Sequence, residues 1–313
     1  MVSLTSKGPS RVKLAPIESL SCSDPQSVAA YFEAGPRHPA VLPDAASEWP
    51  AIRKWNLEFF STHFGSDLGI ATLRFDRTTS GKATRLGAFV DHLDKPFSSL
   101  PGVWLSRAGE PSAEAEFDEK ALWALNWDGF RNHPALHDDI SPYPSCIPNV
   151  VTRLPPYVAE VLEQISSVKF HAIYISRKDT ITPLHKDFHH TVGSLVQFQG
   201  DKTVFLFEPQ QQVDAGFDPE MPDYERFPEM RTATARHTVL RPGEMIVIPP
   251  DWWHYTRSHD ASVTLSHNFF THRNLSAFLG DIHRDIEGDP HKQRLFATIR
   301  AQLESAIGGP GAS

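Results

Sequence analysis

Ser262-Val263-Thr264-Leu265-Ser266-His267-Asn268-Phe269-Phe270 alternates polar and apolar side chains along its length. A period of two belongs to a strand with one packed face and one polar face. Val263, Leu265, His267 and Phe269 fall on one side, Ser262, Thr264, Ser266 and Asn268 on the other. Upstream the same period returns. Phe170 to Ile175 is a strand closed by the polar Arg177-Lys178-Asp179 turn. Val196 and Phe198 alternate with Gln197 and Gln199, and Gly200-Asp201 supplies a two-residue hairpin signal before Lys202-Thr203-Val204-Phe205-Leu206-Phe207. Pro242-Gly243 turns the chain into Met245 to Ile248, which Pro249-Pro250 stops. Short strands punctuated in this way predict a mainly β sandwich or jelly roll.

Helical signals flank that core. Asp24-Pro25 places a capping carboxylate ahead of a proline at the first helical position, and Gly35 closes the helix. Trp55 to Phe64 is a second short helix closed by Gly65, and Ala121 to Pro142 gives no clear pattern. After Arg273 one apolar stripe runs through Leu275, Phe278, Leu279, Ile282 and Ile286, a second through Leu295, Phe296, Ile299, Leu303 and Ile307. The expected organisation is a disordered segment over 1–20, a helix and strand region over 21–165, the β core over 166–273 and C-terminal helices over 274–313. Two stripes after a complete core predict a homodimer through those helices.

At 313 residues and 40% hydrophobic the chain can bury a sizeable core. A net charge of −8 leaves no electrostatic footprint for nucleic acid. No apolar run is long enough for a membrane span. Two cysteines, Cys22 and Cys146, make no disulfide framework, and without an apolar leader they point to a reducing cytoplasm.

The chemistry concentrates in His185-Lys186-Asp187 and in His254, which follows Pro249-Pro250-Asp251-Trp252-Trp253. Two imidazoles and a carboxylate form the open-sided ligand face of non-haem Fe(II) oxygenases. The His-x-Asp spacing also occurs at His92-Asp94, His137-Asp139 and His283-Asp285. Those three read as solvated surface histidines: His92 at a helix edge, His137 in a proline-bounded loop, His283 in a helix. Only His185 lies between strand-like segments with a second histidine in matching context. His189, His190 and His267 are not expected to bind the metal. A keto acid can take two open positions and O2 the last, and Asp187, where a small residue would open a halide site, argues for oxygen transfer. The distal carboxylate of 2-oxoglutarate then needs a cation, for which Lys202 with the Thr182 hydroxyl is the choice, although composition alone would leave Lys202 in solvent. Asn268 either hydrogen-bonds within the pocket or belongs to a polar row on a solvated face.

Thr182-Pro183-Leu184-His185-Lys186-Asp187, Gln199-Gly200-Asp201-Lys202, Arg241-Pro242-Gly243-Glu244 leading to His254, and Asn268-Phe269-Phe270 together resemble the JmjC/cupin-like 2-oxoglutarate oxygenases. Pro222-Asp223-Tyr224-Glu225-Arg226-Phe227-Pro228 is similar to the branch containing the hypoxia-inducible-factor asparaginyl hydroxylase, and Val41-Leu42-Pro43, Glu48-Trp49-Pro50-Ala51 and Trp55 fit as well. The resemblance implies a double-stranded β-helix with flanking N- and C-terminal α-helices. It implies iron on His185, Asp187 and His254, 2-oxoglutarate on Thr182 and Lys202, and Asn268 in the pocket. It also implies dimerisation through the C-terminal helices. Where the family often offers a Tyr hydroxyl to the keto acid, this chain has Trp123. Its Pro209 to Val213 connection is short where the asparaginyl hydroxylase reads its substrate amide, with Gln210 as a substitute.

The leading expectation is an Fe(II)- and 2-oxoglutarate-dependent hydroxylase acting on a small molecule, such as an amino acid or natural-product intermediate, or on a polypeptide residue. Lysine demethylation is the second reading, and a metal- or sugar-binding cupin without turnover the third. Trp104, Trp123 and Trp127 either line a pocket or pack.

Overall fold

The computed structural model describes residues 11–72, 81–105 and 124–307. The N-terminal half supplies β1 (Lys13–Ala15), β2 (Glu18–Ser19), α1 (Pro25–Glu33), β3 (Ala40–Leu42), α2 (Ala51–Lys54), α3 (Leu57–Phe64) and β4 (Leu68–Thr72). It continues with β5 (Gly81–Arg85), α4 (Leu86–Val90), β6 (Val103–Leu105), β7 (Leu125–Trp127), α5 (Gly129–Asn132), α6 (Leu136–Asp139) and α7 (Pro156–Ser166). Then come β8 (His171–Ser176), β9 (Ile181–His185), β10 (Val192–Gln199), β11 (Lys202–Phe207), β12 (Thr234–Leu240), β13 (Met245–Ile248), β14 (Trp253–Ser258) and β15 (Ser262–Phe269).

These strands sort into two facing sheets. One has ten strands in the order β2-β3-β13-β10-β15-β8-β7-β4-β5-β6, the other five in the order β1-β12-β11-β14-β9. From β8 to β11 the chain alternates between the sheets, and it does so again from β12 to β15. That is a double-stranded β-helix, the jelly-roll core of a cupin, with helices packed on the outside of the larger sheet. Alternation explains the core. Val263, Leu265 and Phe269 turn outward into a cluster with Phe270, Phe278 and Leu162, while Val204, Leu206, Ile246 and Ile248 close one end of the interior. The long connection after β11 covers the outer face of the five-stranded sheet, burying Phe217, Tyr224, Phe227 and Met230 against Phe205 and Tyr255.

The structure corrects several readings. Gly200-Asp201 is not a hairpin: β10 pairs with β13 and β15, whereas β11 pairs with β12 and β14. A tight turn with a left-handed Gly200 (φ 73°) reverses the chain, but it hands the strand to the opposite sheet. Buried Gln197 secures the crossing, donating to Gln199 O at 2.7 Å and Gly200 O at 2.8 Å while accepting from Thr264 Oγ1 at 2.8 Å. The segment expected to be disordered through residue 20 is paired from Lys13: β1 lies parallel to β12 and β2 parallel to β3. Sheet edges offer unpaired N–H and C=O groups to any extended chain, so a strand without its own pattern can add there. His137 lies in the one-turn helix α6, its ring 4.7 Å from that of Phe130.

The C-terminal helices are α8 (Leu275–Asp285) and α9 (Pro290–Ile307). Leu275, Phe278 and Ile282 are buried, and so are Phe296, Ile299 and Leu303 of the second stripe. Both helices pack against α7, so the chain itself buries these six side chains, while Leu279 and Leu295 are partly buried. Cys22 and Cys146 have free thiols that meet side chain to side chain, and burial pushes Cys22 up to about 12. Among the described residues no helix is long and apolar enough to cross a membrane.

Candidate active site

His185 ends β9 and His254 is the second residue of β14, and the register makes them direct cross-strand partners. Their ring centroids are 3.9 Å apart. Asp187 lies two residues past the end of β9, in the loop toward β10, and its Oδ1 is 3.9 Å from His254 Nε2. One ligand atom from each of His185, Asp187 and His254 can be chosen so that all lie within 4.8 Å of one another, the single such group found among the described residues.

Local backbone sets the imidazoles. His185 Nδ1 is 2.8 Å from Pro183 O, and His254 Nδ1 is 3.3 Å from Trp252 O. Carbonyls accept only, so each Nδ1 carries the proton and each Nε2 keeps a lone pair for a metal. Burial first, and then the neighbouring His254, holds His185 well below the usual histidine range, so it stays neutral as a ligand must. The register slips between His254 and Thr256, placing an extra residue in β9 at Pro183-Leu184. Side chains three apart normally oppose each other on a strand. The bulge turns both Thr182 and His185 inward, and Pro183, which has no N–H, fits such a break.

All six expected site residues line one pocket of about 380 Å³: Thr182, His185, Asp187, Lys202, His254 and Asn268. Lys202 faces Ser258 across β11 and β14, and Leu206 faces His254. Four residues of strand, about 13 Å, therefore separate the two levels, a span that a lysine side chain and a five-carbon diacid together bridge. Lys202 is 6% exposed and burial pushes it down to about 8, with no opposing carboxylate among the causes. A buried ammonium without a counter-charge among the described residues fits a ligand carboxylate. Asn268 is held at the wall, its Nδ2 donating to Lys169 O at 3.2 Å and its Oδ1 accepting from Thr191 Oγ1 at 3.5 Å. Thr264 and Ser266, on the same face, also line the pocket.

Three contributors escaped the sequence reading. Tyr174, on β8 opposite Thr264, lines the pocket, and burial with the charge of Asp187 pushes its hydroxyl up to about 12. It shares a strand face with Ala172 and Ser176 against Ile173 and Ile175, a polar-tipped position that alternation could have flagged. Ser194 Oγ is buried there without a hydrogen-bond partner among the described residues. Gly193 is the third, since a Cβ built on it would collide with Asp187 Oδ2. Two imidazoles, a carboxylate, a buried ammonium and a hydroxyl without a hydrogen-bond partner among the described residues, all in one pocket, suit a divalent metal with a chelating keto acid.

Other candidates lie elsewhere. Gln210 is exposed in a turn, Trp127 is buried with its indole donating to Asp67 Oδ2 at 3.1 Å, and Trp104 stacks under the Lys82 ammonium at 4.6 Å. None of the three is among the residues lining the pocket. Trp123 lies outside the described residues. His267 is fully buried on the outward face of β15.

The sequence model of the cupin-like domain matches residues 30–275. Jumonji C domain-containing protein 5 of Drosophila melanogaster is 24% identical over 248 residues, 75% of this chain and 55% of that protein. Lysine-specific demethylase JMJ30 of Arabidopsis thaliana is 25% identical over 82% of this chain and 57% of its own length. Human bifunctional peptidase and (3S)-lysyl hydroxylase JMJD7 is 23% identical over 74% of this chain and 77% of its own. The chain spans about half the length of most of these relatives.

Proposed function

The chain belongs to the cupin-like domain family, and on that footing we propose an Fe(II)- and 2-oxoglutarate-dependent dioxygenase. It hydroxylates an unactivated C–H of a small molecule or polypeptide residue, with release of succinate and CO2. The observation that carries this reading is the sharing of one pocket by the His185, Asp187 and His254 ligand set and the buried Lys202 ammonium. A protein that only bound metal would have no use for the cation.

His185 and His254 offer Nε2 and Asp187 a carboxylate oxygen to Fe(II), leaving the pocket side open for substrates. Lys202 and the Thr182 hydroxyl hold the distal carboxylate of 2-oxoglutarate and so fix the direction of its keto end. Tyr174 and Ser194 present hydroxyls along the same wall. When bound, iron and 2-oxoglutarate supply the oxidising power, by oxidative decarboxylation with O2. The protein contributes orientation.

Demethylation is the second reading, favoured by the names of relatives called lysine-specific demethylases. One feature weighs against it. Asp187 is the one carboxylate among the described residues lining the pocket, so a cationic side chain entering it finds no free counter-charge there. Mass spectrometry of a metabolite and peptide panel tests the proposal. Gain of one oxygen atom dependent on 2-oxoglutarate supports hydroxylation, and loss of methyl as formaldehyde from N-methyl-lysine peptides supports the rival.

A further inference from the structure

Between Asp187 and β10 the chain passes through His189 and His190, both with left-handed backbone angles, φ 57° and 51°. Two successive residues with a Cβ adopt that conformation only where their surroundings hold them. Here a run of imidazoles and carboxylates does so. His190 Nδ1 is 2.8 Å from Asp251 Oδ2, and its Nε2 is 3.6 Å from Asp281 Oδ2. His189 Nδ1 stands 3.9 Å from that same Asp281 oxygen, and its Nε2 is 3.4 Å from Asp285 Oδ2 and 2.9 Å from Ser166 O. Asn274 Nδ2 donates to His190 O at 2.7 Å. Asp251 is itself left-handed, φ 65°, in the turn that leads into β14.

The position of this run matters. His190 follows Asp187 by three residues, and Asp251 precedes His254 by three. Their hydrogen bond therefore ties together two loops beside the ligands, one running from β9 past Asp187 into β10 and the other running from β13 into β14 just ahead of His254. Asp281 of α8, outside the β-helix, faces the same imidazole at 3.6 Å. Neither histidine lines the pocket, and these five side chains do not converge as metal ligands. Their effect on the centre is through the backbone they hold.

We propose that His190, bridging Asp251 and Asp281, is a positioning residue that sets the separation of Asp187 from His254 and couples helix α8 to the metal centre. The inference rests on the reading of His185, Asp187 and His254 as a metal site.

Co(II) titration of the full chain, followed by d–d absorption, tests it with a readout independent of turnover. His190→Ala is expected to weaken Co(II) binding by about tenfold, the low end for groups that support metal ligands, and to change the absorption spectrum. His190→Asn, whose side-chain amide can donate where Nδ1 does, should restore most of both. Should His190→Ala fail to fold, Asp281→Asn removes the α8 charge that faces both His190 and His189 and leaves the His190–Asp251 bond in place, and a weakened affinity with an altered spectrum is again expected. Wild-type affinity and spectrum in a folded His190→Ala or Asp281→Asn protein would overturn the proposal. Absence of Co(II) uptake by the wild-type chain is a separate result, which defeats the triad reading itself.

Discussion

At Gly193, β10 passes so close to Asp187 that a single methyl group would displace the carboxylate. Gly193→Ala is expected to leave the fold intact and to weaken metal binding by about tenfold or more, as loss of ligand support does; calorimetric titration with Fe(II) or Co(II) measures it. Lys202 carries a second prediction. A charge-assisted bond to a buried carboxylate contributes about 1.5–3 kcal/mol, so Lys202→Ala should raise the 2-oxoglutarate requirement roughly tenfold with metal affinity unchanged. Its ammonium titrates near 8 in the free protein. Binding of 2-oxoglutarate should therefore weaken as pH rises through about 8, and the loss should vanish in Lys202→Ala. The sign for stability is opposite. Between about 8 and the unfolded lysine value of about 10.4 the unfolded chain holds the proton and the fold does not, so stability rises with pH in that window. His185, Asp187, His254, Thr182 and Lys202 were legible as residue types at telling spacings. Gly193 and Ser194 were not, because nothing in a linear pattern says which strand will pass behind a given carboxylate.

The alternation in β15 was legible to within a residue, and it separates the polar pocket wall from an outward face that carries His267. There the strand places His267 opposite His171, with ring centroids 4.6 Å apart, and stacks Tyr143 on it at 5.7 Å. Both nitrogens of His267 are buried without a hydrogen-bond partner among the described residues. Burial pushes His267 down to about 3 and His171 well below the usual range. Below about pH 6.5 the unfolded chain takes up protons that the fold refuses, so stability is full above that value and falls as the pH drops. Each group contributes up to about 1.4 kcal/mol per pH unit. His267→Phe should flatten the decline seen by urea unfolding between about pH 7 and 5; a wild-type slope would show that the pair does not titrate this way. The turn at Gly200-Asp201 was legible as a reversal, but sheet membership was not. Turn chemistry is local, whereas the sheet that receives β11 depends on β12 and β14, which come later in the chain. For the same reason β1 and β2, three- and two-residue strands that merely cover edges, left no mark in the sequence.

For the molecule as a whole, the JmjC/cupin-like resemblance and the double-stranded β-helix were readable because joint motifs and a period of two survive in the sequence. The fate of the C-terminal stripes was not. Whether an apolar stripe meets its own chain or a second copy depends on α7, which lies more than a hundred residues upstream of α9. Ile299 is completely buried against the chain's own core. Ile299→Ala should lower the unfolding free energy by about 2–5 kcal/mol, by the same amount at every protein concentration; a concentration-dependent loss in equilibrium denaturation would point to an interface instead. The central claim is that His185, Asp187 and His254 hold the iron and Lys202 and Thr182 the keto acid in one pocket. It is tested most directly by succinate formation from 2-oxoglutarate under Fe(II) and O2, in the full chain and in Asp187→Ala. Steady succinate release by the wild-type chain and its loss in the variant are expected. No release by wild-type protein loaded with Fe(II), or equal release by Asp187→Ala, would contradict it.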